Sequence, residues 1–218
     1  MSGAVPADCL TSAQMRAVER AAMASGAVTG RTLMERAGRG VVEALRARRS
    51  DLVVPGQRAV VLCGPGNNGG DGYVIARLLR EAGLDVGVFG MGAIPDLPPD
   101  ARANAEVWRE LGEIASLEVV ALPADGAPVL VIDSLFGIGQ RGPLDDVLAP
   151  VHRAVGRCRG AVFMVAVDVP TGYDADAGTM LAAQPLSADL IVTFHRAKPA
   201  HRMPPLADTA LVVAGIGL

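Results

Sequence analysis

Residues 59–72 read AVVLCGPGNNGGDG, an apolar run followed at once by glycine, asparagine and aspartate. The five apolar residues 59–63 predict a strand that is buried on both faces of a sheet. The glycine-rich segment that follows predicts a loop, and the apolar spacing after it predicts a helix over about 70–82. This strand–loop–helix order is typical of one unit of a parallel α/β sheet.

The same alternation continues on both sides of this unit. Helices predicted at 99–111 and 145–156 separate further apolar runs, which predict strands at 85–89, 129–133, 161–167, 189–194 and 210–215. Two amphipathic helices precede them, one over 12–25 with Ser12 as N-cap and one over 29–48 that Thr29 opens. The predicted fold class is α/β, a three-layer, Rossmann-like, doubly wound and mainly parallel sheet with two N-terminal helices. We expect residues 1–218 to form a single domain.

Composition excludes several classes of function. The 20 basic and 23 acidic residues give a net charge of -3, and only 3% of residues are aromatic, so neither a basic surface nor a base-stacking platform for nucleic acid is expected. The three cysteines lack metal-binding spacing and indicate reduced thiols in a cytoplasmic protein. No apolar run approaches the roughly 18–20 residues that cross a bilayer, so no membrane association is expected.

Four polar segments follow predicted strands, where open parallel sheets bind their ligands. They are GPGNNGGDG (64–72), DSLFGIGQRGPL (133–144), DVPTGYDADAG (168–178) and HRAKPAH (195–201). The first matches the GxGxxG pattern, but the next strand ends without the acid that would hold a ribose, which disfavours an ordinary nicotinamide dehydrogenase. That oxidoreductase remains an alternative.

Three charged residues in these segments are candidates for chemistry. Asp133 and Asp168 each begin a glycine-containing loop, so each either caps a turn or serves the ligand site, and their oxygens would suit a hard cation. Lys198 is the only lysine beside 19 arginines, which makes a surface role and a functional role about equally plausible. His195 and His201 are near it, but no spacing supports a hydrolytic triad.

The four segments, in this order, resemble the NAD(P)H-hydrate epimerase family, the N-terminal domain of bifunctional nicotinamide-nucleotide repair enzymes. The likeness covers residues 11–218, including LMERAG in the second helix and the final VVAGIGL. It implies an isomerase that interconverts the R and S forms of NADHX and NADPHX at C6 of the nicotinamide ring, in metabolite repair. NAD(P)HX is then a substrate rather than a cofactor.

The resemblance also implies a set of site residues. For this reaction the residues themselves lead us to expect Asp168 to act as the acid and base that protonates the departing C6 hydroxyl and deprotonates the returning water, and Lys198 to hold phosphate or tune the pKa of Asp168. A potassium ion, one per subunit, would be held by Asn68, Asp133 and Thr171. The substrate-binding residues would be Asn67, Asn68, Gly69, Gly70, Asp71, Gly137, Ile138, Gly139, Gln140, Arg141, Gly142, Pro143 and Asp168.

This sequence departs from the family pattern at three places. Thr171 replaces a common serine, Ile138 replaces a common threonine, and residues 195–197 differ from the usual Gly-Ala-Pro. The family further implies a homodimer and an ATP- or ADP-dependent NAD(P)HX dehydratase as functional partner. No dehydratase domain is present in this sequence, so we expect either a stand-alone epimerase or part of a bifunctional protein. The main alternative is a catalytically inactive nucleotide-binding or scaffold module of the same fold.

Overall fold

Strand β1 (Arg58–Cys63) alternates its side chains between two hydrophobic clusters on opposite faces of a sheet. Ala59, Val61 and Cys63 pack in one cluster, whereas Val60 and Leu62 pack in the other. The run is apolar throughout because both faces are covered, as in the parallel sheets of α/β proteins. The computed structural model describes residues 7–218; residues 1–6 of the predicted single domain lie outside the described residues.

Within residues 7–218, seven parallel strands form one sheet, and five α-helices accompany it. The helices are α1 (Ser12–Ala24), α2 (Gly30–Arg48), α3 (Asn67–Glu81), α4 (Pro99–Arg109) and α5 (Asp145–Arg157). The remaining strands are β2 (Asp85–Gly90), β3 (Ile114–Ser116), β4 (Val129–Ser134), β5 (Val162–Val167), β6 (Leu190–Phe194) and β7 (Ala210–Ala214). The strand order is β3-β2-β1-β4-β5-β6-β7, so the chain runs outward in both directions from β1 and β4.

The helices cover the sheet in two layers. Helices α2, α3 and α4 pack on one face through a cluster that includes Leu45, Leu79 and Trp108, and α5 packs on the other through Leu148 and Val151. Helix α1 joins the first cluster through Met15. The predicted three-layer α/β class, with its parallel sheet and two leading helices, is therefore confirmed.

Besides shifts of one or two residues at several element ends, three details differ from the sequence predictions. The N-cap of α1 is Thr11 rather than Ser12, and Thr11 forms a capping box with Gln14. The short strand β3 was not predicted, because three residues are too few to show a periodicity. Helix α3 begins at Asn67 instead of about residue 70, so most of the asparagine/glycine motif is the first turn of a helix and not a loop.

Candidate functional site

Polar segments meet where β1, β4, β5 and β6 end, as the topology requires of parallel strands on one edge. They line a cavity of about 620 Å³. One wall comes from the start of α3 and the loops after β4, β5 and β6, and the opposite wall comes from α1 and α2. The cavity is therefore a cleft between the edge of the sheet and the two N-terminal helices.

Asp168 follows β5 directly and lies at the wall of this cavity. Its backbone adopts φ +70°, a left-handed conformation that is uncommon for residues other than glycine and often marks functional sites. Its Oδ1 accepts a hydrogen bond from Thr193 Oγ1 (2.8 Å), and its Oδ2 accepts one from the backbone N–H of Ile138 (3.0 Å). These donors hold the carboxylate at the end of the sheet in one orientation.

Lys198 forms a buried ion pair with this carboxylate. Its Nζ is 2.9 Å from Asp168 Oδ1, and the Lys198 and Asp168 side chains are 1% and 9% exposed. The ammonium also donates to Thr193 Oγ1 (2.8 Å) and to the Arg196 carbonyl (3.1 Å). Because the N–H groups of the Lys198 ammonium already bond to acceptors of the protein, the geometry favours the second of its two expected roles. That role is tuning the pKa of Asp168, rather than binding phosphate.

The ion pair determines the ionisation state of Asp168. Burial disfavours the ionised carboxylate, but the charge and hydrogen bond of Lys198 outweigh burial and lower the pKa of Asp168 below its usual value. The resting carboxylate is therefore ionised at neutral pH. Asp168 is ready to accept a proton, rather than to donate one, at the start of a reaction.

The start of α3 contributes a second part of the cavity wall. Asn67, Asn68 and Asp71 line the cavity, whereas Gly69 and Gly70 do not. Ideal Cβ atoms at these two glycines would lie 2.0 Å from the Gly64 carbonyl oxygen and 2.5 Å from Met34 Sδ, respectively. The two glycines let the helix pack closely on its neighbours, and the polar residues around them face the cavity.

Asp71 is a second carboxyl group at the cavity, and its surroundings differ from those of Asp168. Within residues 7–218 its side chain has neither a hydrogen bond nor an ion pair. Burial, together with the charges of Asp168 and Glu19, raises the pKa of Asp71 well above its usual value. The pKa values of two carboxyl groups at one cavity are thus shifted in opposite directions.

Asp133 and Thr171 lie behind the cavity wall and are both fully buried. Asp133 accepts hydrogen bonds from Thr171 N (2.8 Å) and Thr171 Oγ1 (2.7 Å). Unlike Asp168, Asp133 has no cationic partner among the described residues, and burial raises its pKa to about 6. The Asn68 side-chain amide nitrogen is buried and has no hydrogen-bond partner there either.

The loop after β4 divides into two parts. Gly137, Ile138 and Gly139 line the cavity, and an ideal Cβ at Gly137 would lie 2.7 Å from Asp168 Oδ2 and 3.1 Å from Asn68 Oδ1. Gln140 is buried and accepts from Gly172 N (2.8 Å), which ties the loops after β4 and β5 together. The next three predicted binding residues are exposed and outside the cavity lining; they are Arg141, Gly142 and Pro143.

Helix α1 adds cavity residues that the sequence did not reveal. Three charged residues of α1 line the cavity; they are Arg16, Glu19 and Arg20. Met15 of α1 and Met34 of α2 contribute apolar surface to it. Burial and the charge of Asp168 raise the pKa of Glu19. The i, i+3, i+4 spacing of the three charged residues is also that of a solvated helix face, so the spacing alone does not identify them.

Two negative findings apply to residues 7–218. No cluster of three or more histidine, cysteine, aspartate or glutamate residues is arranged to hold a metal ion. None of the helices described there has the length and apolar character that crossing a membrane requires.

Comparison with known proteins gives consistent matches. Residues 30–200 match the family described as YjeF-related protein N-terminus. The NAD(P)H-hydrate epimerase of Rhodobacter capsulatus is 46% identical over 215 residues, which is 97% of this chain and 99% of that protein. The NAD(P)H-hydrate epimerase of Cereibacter sphaeroides is 45% identical over 220 residues, covering 94% and 99%.

More distant matches show a longer architecture and the fold. A bifunctional NAD(P)H-hydrate repair enzyme of Hyperthermus butylicus is 38% identical over 193 residues, covering 85% of this chain but 34% of that protein. The crystal structure of the yeast protein ynu0 (YNL200c) superposes with a TM-score of 0.71 at 21% identity, covering 94% of this chain and 87% of that one. The yeast structure supports the fold alone.

Proposed function

The chain belongs to the YjeF-related N-terminal family of NAD(P)H-hydrate epimerases, and we propose that it interconverts the R and S forms of NADHX and NADPHX at the Asp168–Lys198 pair. It is an isomerase of nicotinamide-nucleotide repair. The observation that carries the assignment of the site is an ionised carboxylate at the wall of a cavity, held by a buried ammonium at 2.9 Å.

The low pKa of Asp168 suggests an order of proton transfers that differs from the one expected from the sequence. An acid that protonates the departing C6 hydroxyl would have to be protonated at rest, whereas Asp168 is ionised. The carboxylate is instead suited to accept the proton of the C6 hydroxyl first. General-base catalysis of this kind typically contributes about 10²–10⁴-fold to the rate.

The proton balance of this route closes without an external acid. The C6–OH proton moves to Asp168, the C6–N1 bond breaks to leave an aldehyde at C6, and Asp168 returns the proton to N1. Rotation about the C5–C6 bond then presents the other face of the aldehyde. N1 adds back while its proton passes through Asp168 to the new C6 hydroxyl, which yields the opposite epimer.

Lys198 stabilises the ionised form of Asp168, and Ile138 N–H and Thr193 Oγ1–H orient it. Asn67, Asn68 and Asp71, with Gly137 to Gly139, form the wall that would contact the substrate. Contact through Gln140, Arg141, Gly142 or Pro143 requires the dinucleotide to extend beyond the cavity lining, since none of these four residues lines it.

The residues expected to hold potassium have the oxygen chemistry of a hard-cation site. Asp133 is a buried carboxylate without a cationic partner in the described chain, and a buried charge needs such compensation. Thr171 supplies a hydroxyl that contacts Asp133, and Asn68 would contribute its amide oxygen, since its unsatisfied buried nitrogen is a donor and no cation ligand. When bound, the ion supplies positive charge that compensates Asp133 and fixes the adjoining loops.

Two bifunctional relatives are longer than this chain, since the match spans 34% and 40% of their length. An ATP- or ADP-dependent dehydratase that consumes the S epimer, separate or fused, is the functional partner in this proposal. A homodimer and a cytoplasmic location are further parts of it, and light scattering and fractionation test them.

Epimer equilibration tests the function. Purified protein is mixed with a single epimer of NADHX in H₂¹⁸O, and the R/S ratio and the label are followed by chromatography and mass spectrometry. We expect the protein to accelerate epimerisation far above the spontaneous rate. We also expect ¹⁸O to enter the C6 hydroxyl more slowly than the epimers equilibrate. Asp168→Asn, which conserves size, should abolish the acceleration while circular dichroism shows a folded protein.

The other outcomes separate the parts of the proposal. A folded protein that binds the nucleotide without accelerating epimerisation would indicate the inactive binding module. Label entering at the rate of epimerisation would show that the C6 oxygen exchanges with water at each turnover, which contradicts a ring-opening route with a water-shielded aldehyde but not the isomerase. An Asp168→Asn protein as active as the wild type would remove Asp168 from the mechanism.

A further inference from the structure

His201 lies in the short 3₁₀ turn after Lys198 and is 2% exposed. Its imidazole touches the backbones of both members of the ion pair. The ring Nδ1 is 3.0 Å from the backbone nitrogen of Lys198, and Nε2 is 2.9 Å from the carbonyl oxygen of Asp168. One ring therefore bridges two chain segments that are 30 residues apart in sequence, at positions 168 and 198.

These two contacts fix the proton on the ring. The Lys198 backbone N–H can only donate, so Nδ1 must accept and carries no proton. The Asp168 carbonyl can only accept, so Nε2 must carry the proton and donate it. The buried imidazole is thus neutral, in the Nε2–H tautomer. Burial lowers the pKa of His201 to about 4, which is consistent with a neutral ring at physiological pH.

The carbonyl that His201 binds belongs to a residue with an unusual backbone. Asp168 has φ +70°, and its N–H donates to the Val192 carbonyl at 2.8 Å. Left-handed backbone at a non-glycine residue persists only where surrounding contacts hold it. The Val192 and His201 bonds hold its two backbone polar groups, one on each side of the strained Cα.

A closed ring of interactions results. Asp168 Oδ1 contacts Lys198 Nζ at 2.9 Å, while the Asp168 carbonyl and the Lys198 N–H are joined through His201. Thr193 Oγ1 bridges the two side chains, accepting from Lys198 and donating to Asp168. The charged groups are tied at their side chains by Thr193 and at their backbones by His201.

From this arrangement we propose that His201 is a positioning residue, which as a neutral Nε2–H imidazole sets the backbone of Asp168 relative to Lys198 and thereby aims the reactive carboxylate into the cavity. The inference rests on the proposed function. His201 acts through Asp168 and Lys198 and is not among the residues that line the cavity. Its loss should therefore slow the chemical step without weakening substrate binding.

Three variants test the role. His201→Leu fills similar space but bridges nothing, whereas His201→Gln keeps one acceptor and one donor on its amide. We expect His201→Leu to lower kcat at least about tenfold, with KM within about threefold of the wild type, because small misplacements of a catalytic group cost up to about 10²-fold. His201→Gln should recover most of kcat. The matched control His152→Leu removes a histidine that bonds the Gln184 carbonyl away from the cavity and should leave kcat unchanged.

Nitrogen-15 NMR of the wild-type imidazoles provides a readout independent of catalysis. The expected spectrum shows His201 neutral at pH 7 with its proton on Nε2; an Nδ1–H tautomer or an imidazolium overturns the proposal. A folded His201→Leu protein with wild-type kcat, or a His201→Gln protein as slow as His201→Leu, also overturns it. If His201→Leu does not fold, His201→Gln and the NMR measurement decide. An inactive wild type would instead count against the epimerase function and leave the tautomer result standing.

Discussion

Removing the Lys198 ammonium tests the energetics of the site most directly. In Lys198→Met the Asp168 side chain, which is 9% exposed in the native structure, loses its countercharge. Breaking a buried ion pair by removing one partner costs about 3–5 kcal/mol of the free energy of unfolding, because the remaining charge is uncompensated. For a chain of 218 residues, 1 kcal/mol corresponds to roughly 2–4 °C, so Tm should fall by about 6–20 °C at neutral pH.

The loss should depend on pH with a definite sign. In the wild type the pKa of Asp168 is lowered below 3.8, so its contribution to stability is present above that pH and is lost only as the pH falls through the folded-state pKa. Without Lys198, burial dominates and raises the pKa of Asp168. The contribution of the carboxyl group is then fully present below about 3.8 and is lost as the pH rises through the new folded-state pKa. The difference between wild type and variant should therefore grow from pH 5 to pH 8.

Urea unfolding followed by circular dichroism at pH 5 and pH 8 measures this difference. The double variant Asp168→Asn/Lys198→Met should recover about 2 kcal/mol relative to Lys198→Met, since it removes the uncompensated charge. Arg196→Met removes an exposed cation from the same loop and should change stability by less than about 0.5 kcal/mol. A Lys198→Met protein that loses under about 1 kcal/mol, equally at both pH values, would refute the assignment of a buried ion pair.

Two further predictions concern the loop after β4 and the cation. Gly137→Ala should lower the rate of epimerisation at least about tenfold in a folded protein, because its Cβ would lie 2.7 Å from Asp168 Oδ2. The control Gly156→Ala lies in a helix with open space around its Cβ and should retain activity. A fully active Gly137→Ala protein would show that the space beside Gly137 is not used in the reaction. Potassium chloride should raise Tm relative to tetramethylammonium chloride at equal ionic strength, because binding to the native state stabilises it, and Asp133→Asn should abolish the difference. Equal melting in both salts would argue against a potassium site at Asp133.

Much of the fold could be predicted from the sequence because its strands are apolar on both faces. The runs that became β1, β4 and β5 have no competing helical interpretation once they are bounded by glycine and aspartate. The start of α3 could not be placed, because asparagine and glycine disfavour helices in isolation. Close packing at Gly69 and Gly70 overrides that local preference, and packing is not visible in a single sequence.

The part of the site at the ends of the strands was predictable for a topological reason, whereas the part that α1 contributes was not. Asp168 and Lys198 follow parallel strands, so the edge of the sheet brings them together. The family resemblance implied roles for them, but the 2.9 Å contact itself depended on the turn after β6. Glu19 on α1 precedes every strand, and no local pattern indicates that this helix faces the cavity.

The attachment of α1 has a consequence for how the protein acquires its native state. Ser12 N–H donates to Asp176 Oδ1 at 2.7 Å, which joins residues 164 positions apart. Bringing such distant segments together costs chain entropy, and contacts of this range form slowly compared with helices. For this reason we expect the two cavity walls to come together late in folding. Recovered catalysis is therefore a stricter gauge of complete refolding than recovered helix content.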